Sequence, residues 1–485
     1  MDARIGISGE KYGGRGLALR PESVKVPLWI VVAGLLGRWL TRSITSIIRR
    51  PGIWLPAVLL VIPIRATGPL GLFLPLFALG STLAGWAKLA PESFRRVVAW
   101  PVRSTIRRTF VYRRMWQPAM VTCGLDARVV DQQYLPQLGP VRSTGNVDRV
   151  QVRMLPGQIL EDYAEQAERL AMTLDAVECR VRTGQKHGQV ELWFLVNDPL
   201  REMVPTFDAD ESPDLEALPV ALREDAKTYH LRLRGNHVLV VGATGAGKGS
   251  VLWSLVWSLQ GALRAGSAHL WVLDPKGGME FAAGAPLFER YCYGDQDAEH
   301  PLEVRSYELA FARFLEAAVS VMRDRQSRLR GVTRLHEPTT DDPLIVVFVD
   351  ELASLTAYVN DRDAKARIKA ALSLLLSQGR AVGVVVVAAL QDPRKDVLPF
   401  RDLFPTRIAL RLTEPEQVDM TLGDGARRRG ALCDRISEGL PGIGYVVLDG
   451  VAEPVRVRFP FISDDDIRLL AGPPNLRLID GGDVA

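Results

Sequence analysis

The sequence predicts an α/β protein whose C-terminal half is a parallel sheet flanked by helices. A small α+β module and an apolar N-terminal hairpin precede it. Three observations carry that reading. Short, uninterrupted apolar runs recur at Val238–Val241, Leu344–Val349 and Val384–Leu390, and a strand apolar at every residue is buried on both faces, as in a parallel sheet. A glycine-rich loop follows the first run and leads into helical periodicity. Between residues 147 and 198, strand-like alternation flanks a helix-periodic stretch.

With 485 residues the chain can form two or three domains with sizeable cores. Its net charge of +4 does not by itself point to a nucleic-acid partner, but the basic residues cluster early. Cys123, Cys179, Cys292 and Cys433 lie far apart, without metal-ligand spacing. Idle or buried thiols in a reducing compartment are therefore expected, not a disulfide framework. Residues 1–24 are polar and glycine-rich, unlike a cleavable signal peptide.

The N-terminal quarter carries two charge-free apolar runs, Ile53–Ile64 and Pro69–Ala87, separated by Arg65 and a Thr-Gly-Pro turn. The second has enough residues for a span of roughly 30 Å, while the first needs tilt or local thinning. Arg42, Arg49 and Arg50 precede the block, and Lys88, Arg95, Arg96, Arg103, Arg107, Arg108, Arg113 and Arg114 follow it. Basic residues on both flanks predict a transmembrane helical hairpin over 51–90 with both ends cytoplasmic. The competing reading is a soluble hairpin buried against the rest of the chain. Within 1–50, Leu28–Ile48 carries Arg38 and Arg42 inside its apolar pattern and is expected to lie in the membrane interface. Residues 91–146 read as a basic juxtamembrane linker whose arginines can grip anionic lipid or DNA phosphate.

A small α+β module is expected over 147–207, with a strand at Val150–Met154 and a helix at Gln158–Leu174. Two further strands follow, at Cys179–Arg182 and Gln189–Val196. The acidic stretch Asp208–Asp214 marks a solvated linker over 208–234. The remaining large domain spans 235–462, and 463–485 is a tail.

The chemistry begins where Val238–Val241 runs into Gly242, Ala243, Thr244, Gly245, Ala246, Gly247, Lys248, Gly249 and Ser250. Strand, glycine loop and helix form a P-loop. Its backbone N–H groups turn onto a phosphate, the helix N-terminus adds partial positive charge, and Lys248 reaches the β and γ oxygens of ATP. The residue after the lysine should be Ser or Thr to ligate Mg²⁺, but here it is Gly249. Ser250 stands about 100° further round the helix and is no simple substitute. Asp350, phosphates and water can still hold the ion.

Leu344–Val349 ends in Asp350 and Glu351, at the strand edge where ligands of such sheets bind. Asp350 is the expected metal residue and Glu351 the general base for the attacking water. Val384–Leu390 ends in Gln391, placed to sense the γ-phosphate. Thr406–Leu412 puts Arg407 and Arg411 on one face. Either of these, or Arg380, can reach a neighbouring subunit's phosphate as an arginine finger, with Arg407 the first choice.

The ordered segments GATGAGKGS, WVLDPKGGMEF, VVFVDELASL, GRAVGVVVVAALQDP and PTRIALRL resemble the motifs of the FtsK/SpoIIIE DNA translocases. The GKGS and AALQDP variants are most similar to the conjugal-transfer (Tra) members of actinomycete plasmids. The resemblance implies a RecA-like P-loop NTPase motor, assembled as a homo-hexamer that threads double-stranded DNA at the cell membrane with the motor facing the cytoplasm. It maps Lys248 to the Walker lysine, Asp350 and Glu351 to the Walker B pair and Gln391 to the sensor. Family members commonly carry a DNA-reading winged-helix domain after the motor, and residues 463–485 are too few for one. Sequence-specific loading is then either lacking or dependent on a plasmid-encoded DNA-recognition partner. The alternatives are a chromosome-segregation translocase, a membrane secretion ATPase or a non-enzymatic DNA tether.

Overall fold

The computed structural model describes residues 2–6, 23–27, 73–129, 132–294, 304–394, 400–448, 450–451 and 453–472. Residues 1–99 and 100–485 form two units. In the first, Asp2–Gly6 (β1) and Ser23–Pro27 (β2) pair antiparallel. Phe73–Leu89 (α1) is a helix of 17 residues, about 25 Å long. Trp86 closes its end, donating from Nε1 to the Ser93 hydroxyl at 2.6 Å and meeting the Phe94 ring edge-on at 5.8 Å. Leu76, Phe77 and Leu79 stand exposed on it.

The expected transmembrane hairpin is not shown. Ile53–Ile64 and the interfacial stretch 28–48 lie outside the described residues. Among the described residues, no helix is long and apolar enough to cross a membrane.

The stretch expected as a basic linker is largely structured. Trp100–Ile106 (α2), wider helical turns at Arg107–Tyr112 and Arg113–Thr122 (α3) lead to two short strands, Ala127–Val129 (β3) and Gln132–Tyr134 (β4). Gln137–Ser143 (β5) then joins Val147–Arg153 (β6), Glu178–Thr183 (β7) and Gln189–Leu195 (β8) in an antiparallel sheet of order β5-β6-β8-β7. Leu160–Glu165 (α4) and Ala167–Thr173 (α5) supply the helix expected there.

Alternation decides which face is buried. Asp148, Val150 and Val152 of β6 point inward with Val190, Leu192 and Phe194 of β8, against Tyr112, Trp116, Ala119 and Met120. The arginine run partly serves this core. Arg107 donates to the fully buried Asp148 at 2.7 Å, Tyr112 donates to the same carboxylate at 2.8 Å, and Arg103 binds Ser143 at 3.0 Å. A buried carboxylate needs such partners.

The larger sheet has ten strands. Its parallel part contains Val238–Val241 (β11), Ala268–Leu273 (β12), Phe288–Cys292 (β13), Leu344–Val349 (β14), Val384–Leu390 (β15) and Thr406–Ala409 (β16). The order β16-β11-β15-β14-β12-β13 puts β15 and β14 at the centre, with β11 beside β15. Antiparallel strands extend one side: Ile443–Leu448 (β17), Val455–Arg458 (β18), Leu218–Arg223 (β9) and Thr228–Leu231 (β10). The expected 208–234 linker thus supplies two strands of the motor sheet.

Both faces are covered, which is why β11, β14 and β15 are apolar throughout. On one face Leu239, Val241, Val347 and Val386 pack with the helices Val304–Leu329 (α7) and Arg362–Gln378 (α8). On the other, Val238, Val240, Val346 and Val387 pack with Lys248–Arg264 (α6). The tail also contributes: Asp464–Ala471 (α10, following α9 at Pro415–Leu422) buries Ile467 and Leu470 in this second core. Arg456 pairs with Asp198 at 2.8 Å, and the buried Arg180 bridges Glu178 and Glu224, tying module to motor.

Because α3 belongs to the module core, a fragment beginning near residue 120 loses Tyr112 and Trp116. A chain starting at residue 100 is expected to unfold cooperatively, whereas one starting at 123 loses about 3–5 kcal/mol or more of module stability. Chemical denaturation followed by Trp fluorescence, with equal stability of the two fragments as the contrary result, checks this.

Candidate nucleotide site at the sheet edge

The loop after β11 turns back on two left-handed glycines, Gly245 (φ 72°) and Gly247 (φ 95°). Gly247 has a second constraint, since a Cβ there would collide with the backbone of Gly442. Ala243 N–H bonds the Arg411 carbonyl at 2.9 Å and Gly242 N–H bonds Leu390 O at 3.1 Å, so the loop hangs between β15 and β16. Lys248 opens α6 and folds back over the loop, donating to Gly242 O at 2.8 Å and Ala243 O at 3.3 Å. Burial holds its ammonium below the usual lysine range; the Glu351, Asp350 and Glu280 carboxylates act in the opposite sense.

Asp350 and Glu351 follow β14 and are buried. Glu351 Oε1 accepts from the backbone N–H of Ala353 and of Gln391, each at 3.4 Å, which sets the Gln391 strand end beside it. Burial raises the Glu351 carboxyl above its ordinary value, suiting a proton acceptor more than a permanent anion. The exposed Gln391 accepts through its Oε1 from the Thr244 hydroxyl at 3.3 Å. The structure therefore brings Lys248, Asp350, Glu351 and Gln391 to one edge.

Arg407 does not join them within the chain. It is level with Leu239 in the β11 pairing, short of the strand end, and its guanidinium lies against Gly423. Arg380 precedes β15 and so sits at the opposite, amino end of the sheet. Arg411 is at the P-loop itself, donating to Thr244 O at 2.8 Å and to Glu438 at 3.2 Å.

Three residues of the site carried no role in the sequence reading, although their segment, DPKGGMEF, was quoted as a motif. Asp274 is fully buried at the end of β12 and accepts the N–H groups of Lys276 and Glu280, each at 3.2 Å. Its carboxyl is raised by burial and by Asp350 nearby. Lys276 reaches Asp350 at 2.9 Å and Glu351 at 3.5 Å. Glu280 lies against Gly249. The available signal was the one that marked Asp350: an apolar strand ending in a carboxylate.

The Lys248 ammonium bonds the loop carbonyls of Gly242 and Ala243. Lys248→Ala is therefore expected to weaken ATP binding more than tenfold, about 1.4 kcal/mol, with little change in unfolding temperature. Titration with a fluorescent ATP analogue beside thermal unfolding checks both, and unaltered affinity would remove Lys248 from the site.

Comparison with known proteins follows the same division of the chain. Residues 202–439 match the FtsK/SpoIIIE family, and residues 84–196 match the actinomycete conjugal transfer protein N-terminal domain. Among curated proteins, the chain is 24% identical over 384 residues to the DNA translocase FtsK of Streptococcus agalactiae, covering 74% of this chain and 43% of that one. It is 27% identical over 281 residues to DNA translocase FtsK 2 of Ralstonia nicotianae, covering 51% and 33%. The chain thus spans less than half the length of these relatives. Among solved structures, the pCW3 conjugation coupling protein TcpA with ATPγS aligns with a TM-score of 0.47 and 18% identity, over 72% of this chain and 95% of that one. The type VII secretion ATPase EccC of Thermomonospora curvata aligns with a TM-score of 0.42 and 22% identity, over 56% and 35%. The chain thus carries an FtsK/SpoIIIE family domain over 202–439, preceded by an actinomycete conjugal transfer N-terminal domain over 84–196.

Proposed function

We propose that this protein is an ATP-driven translocase of double-stranded DNA, anchored at the cell membrane and moving plasmid DNA between cells in conjugation. The observation that carries the reading is the convergence of Lys248, Asp350, Glu351 and Gln391 at the end of one parallel sheet. The names of the curated relatives support DNA as the substrate, and the conjugal N-terminal match supports the transfer role. The apolar runs 53–64 and 69–87 support the anchor.

In this reading the P-loop, Gly242 to Ser250, wraps the phosphates of ATP and Lys248 contacts the β and γ oxygens. The site's chemistry fits a magnesium ion. The Lys276 ammonium, close to both Asp350 and Glu351, marks a position where these carboxylates already accept a cation. Asp350 would hold the ion, which when bound offsets the charge of the phosphates. Glu351 takes the proton of the attacking water, and its raised carboxyl suits that role. Gln391, hydrogen-bonded to Thr244 of the loop and backed onto Glu351, reads the γ-phosphate.

The assembly is a homo-hexamer with sites shared between neighbours. Arg407, Arg411 or Arg380 acts as the finger on the next subunit's phosphate, with Arg407 the first choice. A plasmid-encoded partner selects the DNA.

ATPase activity of the purified chain, with and without duplex DNA, tests the reading. Stimulation by duplex is expected, and Glu351→Gln should lower turnover by about 10²–10⁴-fold while retaining ATP. Stimulation by peptide and not by DNA would support a secretion ATPase. DNA binding without hydrolysis would support a tether.

A further inference from the structure

The P-loop lacks the hydroxyl that normally follows its lysine, and the structure places a different oxygen there. A side chain at Gly249 would collide with Oε1 of Glu280, so the volume that a Ser or Thr would occupy on α6 is taken by a carboxylate from the loop after β12. The missing side chain and the intruding one occupy the same place.

That loop is braced on every side. Asp274, fully buried, accepts the backbone N–H of Glu280 itself at 3.2 Å. The Tyr291 hydroxyl donates to Gly278 O at 2.9 Å. Directly after Glu280, the fully buried Phe281 packs against Trp253 of α6, with ring centroids 5.4 Å apart. Glu280 is therefore held to the same helix that carries Lys248 and Gly249. Supporting residues of this kind fix a ligand's direction.

The charges point the same way. Glu280 feels Asp350 and Asp274 as like charges and Lys276 and Lys248 as opposite ones, and burial followed by the Asp350 charge raises its carboxyl. Four carboxylates, Asp274, Glu280, Asp350 and Glu351, share this edge with two ammonium groups. Like charges so close are costly without a further cation. Among the described residues no three acidic, His or Cys side chains close on a point by themselves. That suits magnesium, which keeps waters and takes one or two carboxylates plus substrate phosphates, not a full protein cage.

We propose that Glu280 replaces the absent P-loop hydroxyl as an oxygen ligand, holding the magnesium of bound ATP from the α6 side while Asp350 holds it from β14. The inference rests on the nucleotide-site reading given above. It makes the Gly249–Glu280 pair an exchange of ligand between two elements. The P-loop gives up its side chain so that the carboxylate has room.

Affinity for a fluorescent ATP analogue, measured on the full chain with Mg²⁺ and with EDTA, tests it without relying on turnover. The parental chain is expected to bind more tightly with Mg²⁺. Glu280→Ala should reduce that gain by about tenfold or more and leave the EDTA affinity unchanged. Adding Gly249→Ser to Glu280→Ala should restore the gain, because the hydroxyl returns to a place no longer filled. Mn²⁺ in place of Mg²⁺, followed by electron paramagnetic resonance, should show an altered signal in Glu280→Ala and a recovered one in the double variant. A Glu280→Ala chain that keeps the full metal-dependent gain overturns the proposal, as does one that loses affinity equally in both conditions. A parental chain that binds no nucleotide in either condition overturns the site assignment itself, and the proposal with it.

Discussion

The site depends on one constraint: four parallel strands, buried on both faces, end within two residues of one another. Val241 is opposite Leu390, Leu273 is opposite Val349, and Val349 is opposite Ala388. The residues that follow these ends are Gly242, Gln391, Asp274 and Asp350. Backbone pairing therefore sets the spacing of P-loop, sensor and carboxylates. A slip of one residue in any strand would exchange its two side-chain faces, which pack into different cores, so the packing on each face enforces the register that chemistry needs.

This edge concentrates charge that the apolar strands β11, β14 and β15 exclude. Asp274, Asp350 and Glu351 are buried or nearly so, and their mutual repulsion is offset by Lys276 and Lys248. Lys276 is raised because Asp350 and Glu351 outweigh the burial that alone would lower it. Such an arrangement costs stability in isolation and is rewarded only when phosphates and a metal rearrange it.

Much of the motor was legible in local pattern. VLVV, LIVVFV and VVVVAAL each announce a doubly buried strand, and the residue after each carries the chemistry. What escaped depends on contacts distant in sequence. Arg107 reads in the sequence as one of the basic residues flanking the apolar block, but Asp148, forty-one residues on, draws it into the module. Thr228–Leu231 contains too little apolar sequence to stand out after the acidic stretch, yet it completes the sheet through pairing with Leu218–Arg223. Gly249 was visible as a departure, and its counterpart Glu280 was not, because only the folded loop after β12 brings them together.

The central claim is that four strand ends make a single nucleotide site. Hydrogen–deuterium exchange of the full chain, with and without ATPγS and Mg²⁺, measures this directly. The account predicts nucleotide-dependent protection of residues 242–250, 274–281, 350–353 and 389–392 together. Protection confined to 242–250, with the other three segments unchanged, would contradict it.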